Sequence, residues 1–598
     1  MDHPESPSRG HRWIVLGLLI GFGALYSAFS WDRDFWAPEE DDFAAVTKEM
    51  SAAHEWLVPS LSGEPYFEKP PLLFWVALAF SKIPGLPPEV SYRLPIALFG
   101  VLGLWVTYLA GSRYMTRDVG VAAMVIQGTS ALFFRTSSWL MADVVFSSLV
   151  SLALVSFGTV TLREPRSRRW RILGWLGLAG ACLAKSPLLA FYLVAVPLIV
   201  FVLFYRKSLA FLYDLIRLRP LWGLLSVAVL VIPWYVWLGI EYGGAFFQEA
   251  FVHQHLSRLV DAASHQQPFG YYFSTILTDF LPWTLFLPLA VFHGFVHARN
   301  VSHRFFLYWL VLGFVSLSFI SSKQGKYLLP LWTPLCTLTA AALLQTERQS
   351  LWEGFLRVGG VYVSVWLLRV GAVAVFVAAG VAAFGYSEAM LDLAGGNLSS
   401  DDAVRRLVSS SAFGWKAGAG LGAVSVVLGV ASFKVAGVRV GSMALQQPYP
   451  IAAAAAAMLL VSTVFYSDLN SVKSARTFCE SVRDQVGESP LAIYGRRRGS
   501  ILYFVDRPVK WFPHVDVTAS AAAIEPLKAY LSRPETVYLL INTGAPEKTK
   551  DYERLIGNYP RIATLVEEVD RGRVGSRRTY LLLRNRVETG MTNDKKSF

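Results

Sequence analysis

The chain is built from long apolar runs. About thirteen of them approach the 20 residues needed to cross some 30 Å of hydrocarbon, starting near residues 13, 94, 118, 139, 170, 186, 221, 275, 303, 327, 365, 412 and 449. A segment that enters lipid must satisfy its own backbone hydrogen bonds, which leaves helices as the form for such runs. Only 16% of the 598 residues are charged, too few to cover a soluble globule of this size, and the 19 tryptophans suit membrane interfaces. The sequence therefore predicts an all-α polytopic membrane protein. The first run, Trp13 to Phe29, follows Arg9, His11 and Arg12. It is long for the apolar core of a signal peptide and many runs follow it, so it is expected to stay as the first span.

The net charge of +12 sorts by position. Basic residues gather in alternate loops, at Arg113/Arg117, Arg163 to Arg171, Arg206/Lys207/Arg217/Arg219, Arg299/Arg304, Arg348/Arg357 and Lys434/Arg439. That is the positive-inside pattern of a multi-pass protein and carries no implication of nucleic-acid binding. It predicts a cytoplasmic N-terminus, a large acidic outer loop over 31–92, and an outer C-terminal segment. Arg369 falls inside an apolar stretch and is expected to snorkel at a span end. Cys182, Cys336 and Cys479 are too scattered to frame a disulfide or metal knuckle.

Residues 1–466 thus read as a transmembrane domain and 467–583 as an extracytoplasmic α/β domain, with 584–598 a polar, disordered tail. Short apolar segments at Leu491 to Tyr494, Ile501 to Val505, Val537 to Ile541 and Thr579 to Leu583 are the expected strands. Asp551 to Tyr559 is an expected helix.

Candidate chemistry concentrates in the outer loops. Pro38-Glu39-Glu40-Asp41-Asp42 opens an amphipathic helix whose apolar face is Phe43, Val46 and Met50. Its carboxylates suit either a general base or the positive end of the helix dipole. Tyr66-Phe67-Glu68-Lys69-Pro70-Pro71 leads into an interfacial or re-entrant helix over Leu72 to Phe80, placing Lys69 where a lipid-borne phosphate would lie. Asp143 stands at the outer end of a span, where a carboxylate is costly and points to function. Lys323 and Lys326 sit in an outer loop against the positive-inside trend, and Lys185 at an outer turn, as expected of groups that bind an anion. His253, His255, Arg258 and His265 share one loop, but the spacing of His253 and His255 is a weak metal signal.

Taken in order, Pro-Glu-Glu, Lys-Glu-Met, Trp-Leu-Val-Pro, Gly-Glu-Pro-Tyr-Phe-Glu-Lys-Pro, Asp143, His255-Leu-Ser-Arg258 and Ser322-Lys-Gln-Gly-Lys-Tyr-Leu-Leu-Pro330 resemble the GT-C superfamily. The likeness is nearest to the bacterial lipid A aminoarabinose transferases; the protein O-mannosyltransferases are more distant. It covers roughly residues 10 to 345.

The resemblance implies a glycosyltransferase of the inner membrane. Such an enzyme moves a sugar from a polyprenyl-phosphate donor to a lipid, glycan or protein acceptor at the outer face. A flippase that makes no bond is the alternative. It also implies roles by position. Glu39, with Glu40 and Asp143, supplies the catalytic carboxylates; Lys69, Lys323 and Lys326 hold the donor phosphate; Glu68 and His255 hold a zinc-like divalent ion. The family opens its acidic pair with Asp and follows it with Arg-Tyr. This chain has Glu39 and Asp42-Phe43 there, and the longer side chain can move a reacting group by about 1 Å.

Overall fold

A computed structural model describes residues 9–206, 210–249, 266–344, 351–383, 419, 422–428, 430–431, 448–464, 470, 473–495, 497–513, 525–542, 561–568 and 577–585. Helices stand at the expected runs. They include Arg9–Ser27, Leu94–Tyr114, Ala142–Leu162, Arg168–Ala184, Pro187–Arg206, Pro220–Phe247, Val301–Phe319 and Trp332–Leu344. Six of the described helices are long and apolar enough to cross a membrane, or seven if Arg117–Gly128 and Ala131–Ser137, bent by 70°, are one broken span. The chain is a multi-pass membrane protein.

Two expected spans differ in outline. The run near 275 is broken into Tyr271–Asp279, Trp283–Phe286 and Leu287–Val296, with Pro282 and Pro288 at the breaks. Proline lacks an N–H and fits only the first turn of a helix. The run near 365 begins earlier, in Leu351–Ala383, so Arg357 lies in a helix rather than in a loop, with Nη2 2.5 Å from the Ala342 carbonyl. The run near 412 falls mostly outside the described residues.

Ala142–Leu162 is the hub, its apolar window wholly buried. Where neighbouring helices come closest, glycine is required. A Cβ on Gly111 would stand 2.5 Å from the Gly120 Cα, and one on Gly177 would stand 2.9 Å from the Leu149 carbonyl. Hydroxyls join spans inside the bundle: Thr107 donates to Gln127 at 2.6 Å, and Thr333 donates to Ser151 at 3.0 Å. Lipid offers no hydrophobic drive between helices, so small residues and shared hydrogen bonds supply the adhesion.

The amphipathic helix of the first loop is Glu40–Ala52, with Phe43, Val46 and Met50 buried as the spacing predicts. The predicted helix before the second span is Leu72–Ser81.

The first loop carries a two-stranded hairpin of β1 (Ser60–Leu61) and β2 (Glu64–Pro65), and beyond the spans the chain forms a five-stranded mixed sheet from β3 (Leu491–Tyr494), β4 (Val509–Phe512), β5 (Tyr538–Asn542), β6 (Arg561–Glu568) and β7 (Arg577–Arg584), in the order β4-β3-β5-β7-β6. β4, β3 and β5 run parallel; β7 is antiparallel to β5 and β6. Order continues past 583, because the Asn585 carboxamide accepts from the Val537 amide at 3.0 Å. One expected strand is wrong: Ile501 to Val505 falls in and just after the helix Gly499–Phe504. A short apolar run has no period that separates strand from helix, and here a distant partner decides. The Gly499 amide donates to Asp42 at 2.7 Å and the Ser500 amide to Asp41 at 3.0 Å, so carboxylates of the first loop satisfy this helix's opening N–H groups. The expected helix over Asp551 to Tyr559 lies outside the described residues, as does 586–598.

The sheet is therefore docked on the first loop. Arg476 pairs with Asp34 at 2.5 Å and Glu89 at 3.3 Å, and Lys48 pairs with Asp506 at 2.5 Å. Gly499 is the tightest point, since a Cβ there would lie 2.3 Å from the Asp42 backbone. Gly499→Ala should push the two elements apart and cost ~1–3 kcal/mol. A lower Tm of the purified protein and faster protease cleavage between the last span and the sheet would register it.

Candidate functional site

The acidic cluster of the first loop divides its work residue by residue. Glu40 is fully buried. One of its oxygens meets Arg33 at 2.9 Å, Arg93 at 2.8 Å and the Leu140 amide at 2.9 Å; the other accepts from the Trp36 amide at 3.3 Å. Arg93 also donates to the carbonyls of Arg33 and Asp34, and Arg33 lies over the rings of Trp36 and Trp139. Burial opposes the Glu40 charge, but the two guanidiniums outweigh it and hold the carboxyl below its ordinary value of 4.5. At Asp41 burial wins over the nearby Arg498 and the Ser500 amide, and the carboxyl is pushed up. Glu40, expected as a second catalytic carboxylate, lines neither the cavity at Lys69 nor the recess at Lys323; its oxygens are engaged by Arg33, Arg93 and the amides of Trp36 and Leu140.

Glu39 points elsewhere. Its φ of 79° is in the left-handed region, uncommon for a residue with a side chain. The reversal at Glu39 sends its carboxylate away from Glu40 and onto Lys326, with about a third of the side chain exposed. Lys326 lies 3.7 Å from Asp143, and Asp143 pairs with Lys185 at 2.5 Å. The Lys185 ammonium also sits 4.1 Å from the centre of the Tyr327 ring. Residues from the first loop, the 142–162 helix, the turn before Pro187 and the segment Gly325–Leu331 thus form one chain of alternating charge.

That chain ends at a cavity of about 420 Å³. Its polar end carries Glu68, Lys69, Lys185, Ser186, Ser322 and Tyr327; its wall is apolar, with Leu188, Tyr192, Trp234 and Phe319. Lys69 is near enough to act electrostatically on Asp143. Two tryptophans pin the loop over this wall, Trp234 donating to the Leu57 carbonyl at 2.8 Å and Trp75 to the Trp56 carbonyl at 2.5 Å. Burial, and then the carboxylates of Glu68, Asp42 and Glu39, push the Tyr66 hydroxyl well up, so it stays protonated beside Glu68 at 3.4 Å.

Three sequence expectations change. Lys323 does not join Lys326: its ammonium donates to the Gln267 carbonyl at 2.9 Å and lines a separate recess with Gln266 and Phe269. Non-helical backbone through Ser322 to Gln324, tied by the Gln266–Ser322 bridge, turns the two lysines apart. Lys326 stands behind the cavity wall and holds Glu39. Lys185, expected from its outer turn to bind an anion but absent from the phosphate set the resemblance implies, lines the cavity with Lys69. His255, the expected partner of Glu68 on a metal, lies outside the described residues.

The family profile for dolichyl-phosphate-mannose-protein mannosyltransferase matches residues 12–245. Undecaprenyl phosphate-alpha-4-amino-4-deoxy-L-arabinose arabinosyl transferase 1 of Pseudomonas fluorescens is 26% identical over 365 residues, 59% of this chain and 62% of that protein. The corresponding transferase of Aeromonas salmonicida is 28% identical over 325 residues, 53% and 57% of the two chains. The chain thus spans about three fifths of the length of the curated relatives it matches. The crystal structure of ArnT from Cupriavidus metallidurans bound to undecaprenyl phosphate superimposes with a TM-score of 0.72 at 17% identity, over 97% of this chain and 98% of that one. Its apo form gives 0.70 at 19% identity over the same shares. The chain has the GT-C glycosyltransferase fold and resembles the aminoarabinose transferases.

The two neighbouring glutamates should separate in experiment. Glu40→Gln leaves Arg33 and Arg93 buried without their counter-charge and should cost ~3–5 kcal/mol; Glu39→Gln should barely move Tm. Because the folded Glu40 carboxyl is depressed, its stabilisation is complete above the ordinary carboxylate range and lost as pH falls through the folded value. Acid titration of Tm should therefore show a loss in the wild type that is missing in Glu40→Gln.

Proposed function

We propose that the chain is a glycosyltransferase of the inner membrane that takes a sugar from a polyprenyl phosphate, in the manner of the aminoarabinose transferases, and places it on a lipid acceptor at the outer face. The observation that carries this reading is the cavity itself. An apolar wall of span residues leads to two ammonium groups, Lys69 and Lys185, backed by the Asp143–Lys326–Glu39 chain. An isoprenoid tail suits the wall, and a phosphate suits the two lysines.

The reaction then follows from charge. In the donor the phosphate links tail and sugar; when the bond from its oxygen to the anomeric carbon breaks, negative charge grows on the departing polyprenyl phosphate. Lys69 and Lys185 lie where that charge appears and stabilise it without moving far. The acceptor oxygen attacks the same carbon from the opposite side, forming the new bond and inverting the centre. Its proton passes to Glu39, whose carboxylate Lys326 holds and orients until that moment. Asp143 stands between Lys185 and Lys326. The bound phosphate and the waiting base are thereby joined through one set of contacts.

This reading sets the orientation. The cavity mouth, the 31–92 loop and the C-terminal sheet face outward, and the N-terminus lies in the cytoplasm, as the arginine-rich loops require.

The purified enzyme, incubated with undecaprenyl-phosphate sugars and lipid A, should form product. Lys69→Ala, Lys185→Ala and Glu39→Gln should each slow turnover by ~10²–10³-fold, while Lys323→Ala keeps most of it. Full turnover in Lys69→Ala and Glu39→Gln would refute the assignment, and movement of the donor across vesicles without product would replace a transferase with a carrier.

A further inference from the structure

Four ligand-type side chains meet at the other end of the bundle. His293 is in the last turn of Leu287–Val296, His297 caps that helix, His303 is in the first turn of Val301–Phe319, and Glu353 is in the first turn of Leu351–Ala383. The 301–319 helix gives their distance from the cavity. Phe319 lines the cavity and His303 stands sixteen residues earlier, about 24 Å along the axis. The cluster is separate from the proposed transfer site and does not depend on it.

Its geometry is convergent. His293 and His297 are four apart, on one helix face. Nδ1 of His293 is 2.7 Å from Oε1 of Glu353, and Nδ1 of His297 is 3.4 Å from the same oxygen. One donor atom from each of these three residues falls within 4.8 Å of the others. Nε2 of His293 meets Nε2 of His303 at 3.2 Å. His293, His303 and Glu353 are almost fully buried, whereas His297 keeps 26% of its side chain exposed.

We propose that His293, His297 and Glu353 bind one divalent transition-metal ion of the zinc class. Tetrahedral zinc with bonds of ~2.0–2.1 Å sets its donors ~3.3–3.5 Å apart, so the three ligands need only small shifts to close on it. Two neutral imidazoles and a carboxylate are the donor types such ions take. His303 completes the arrangement from outside: with His293 bound through Nδ1, the Nε2–H of His293 donates to His303, fixing ring and tautomer. Arg357, one turn beyond Glu353, donates to the Ala342 carbonyl and lies near enough to Glu353 to act on it electrostatically. The ion would tie the start of the 351–383 helix to the turn between the two preceding helices.

Cobalt(II) tests this directly. The full-length protein in detergent, stripped with chelator, should bind one Co²⁺ with the intense visible absorption of a tetrahedral N/O site, and Zn²⁺ should displace it. His297→Ala, at the partly exposed helix end, and Glu353→Gln should abolish the band while the metal-free proteins keep the elution volume of the wild type. His303→Gln should weaken binding ~10–100-fold. Glu68→Gln, at the cavity, should leave in place the band that His297→Ala and Glu353→Gln remove. Absence of any band in the wild type overturns the proposal. So does a band that survives in both His297→Ala and Glu353→Gln, or one that disappears only in Glu68→Gln.

Discussion

The outer loop depends on one buried carboxylate held between two guanidiniums. Glu40 is out of water, and a buried charge of this kind is tolerable only with close partners. Arg33 and Arg93 meet that demand; Arg93 also donates to the carbonyls of Arg33 and Asp34, and Arg33 to that of Ser138. The outer loop is thereby nailed to the tops of the 94–114 and 142–162 helices. With Glu40 fixed inward, the backbone reversal at Glu39 turns the next carboxylate outward, toward Lys326.

From that point charge alternates across four segments far apart in sequence: Glu39, Lys326, Asp143, Lys185. Each pair offsets the desolvation of its members, so opposite charges can be stored at membrane depth close to an apolar cavity. In the proposed reaction a donor phosphate beside Lys185 competes with Asp143 for it, and the contacts from Asp143 through Lys326 carry that change to Glu39. The C-terminal sheet belongs to this frame, because its docking helix is capped by Asp41 and Asp42, the two residues that follow the anchor.

Much of the membrane half was legible in the residues. Runs of apolar side chains long enough to span lipid have only one backbone solution, and helix starts at 94, 117, 168, 187, 220, 301 and 325 fall close to where hydropathy places them. The acidic helix with Phe43, Val46 and Met50 inward was also legible, from a 3.6-residue period. The sheet was less so. Ile501 to Val505 has the composition of a strand, yet it enters a helix because two carboxylates from residues 41 and 42 meet its first amides. No local pattern carries that information.

For the site, charge against a trend was the useful signal: Asp143, Lys69, Lys185 and Lys326 all stand where an isolated charge would be costly, and all share one network. What the sequence by itself determined is which residues had to find partners, since an unpaired charge near lipid cannot persist. Tertiary structure alone decided who pairs with whom. Glu39 and Glu40 are adjacent and chemically alike, as are Lys323 and Lys326 three residues apart, and only the backbone reversal at Glu39 and the extended turn before Gly325 send the members of each pair to different partners. The four residues of the His293 cluster came together for the same reason: three helix ends packed at one level bring their side chains within bonding range, a proximity written in no single stretch of chain.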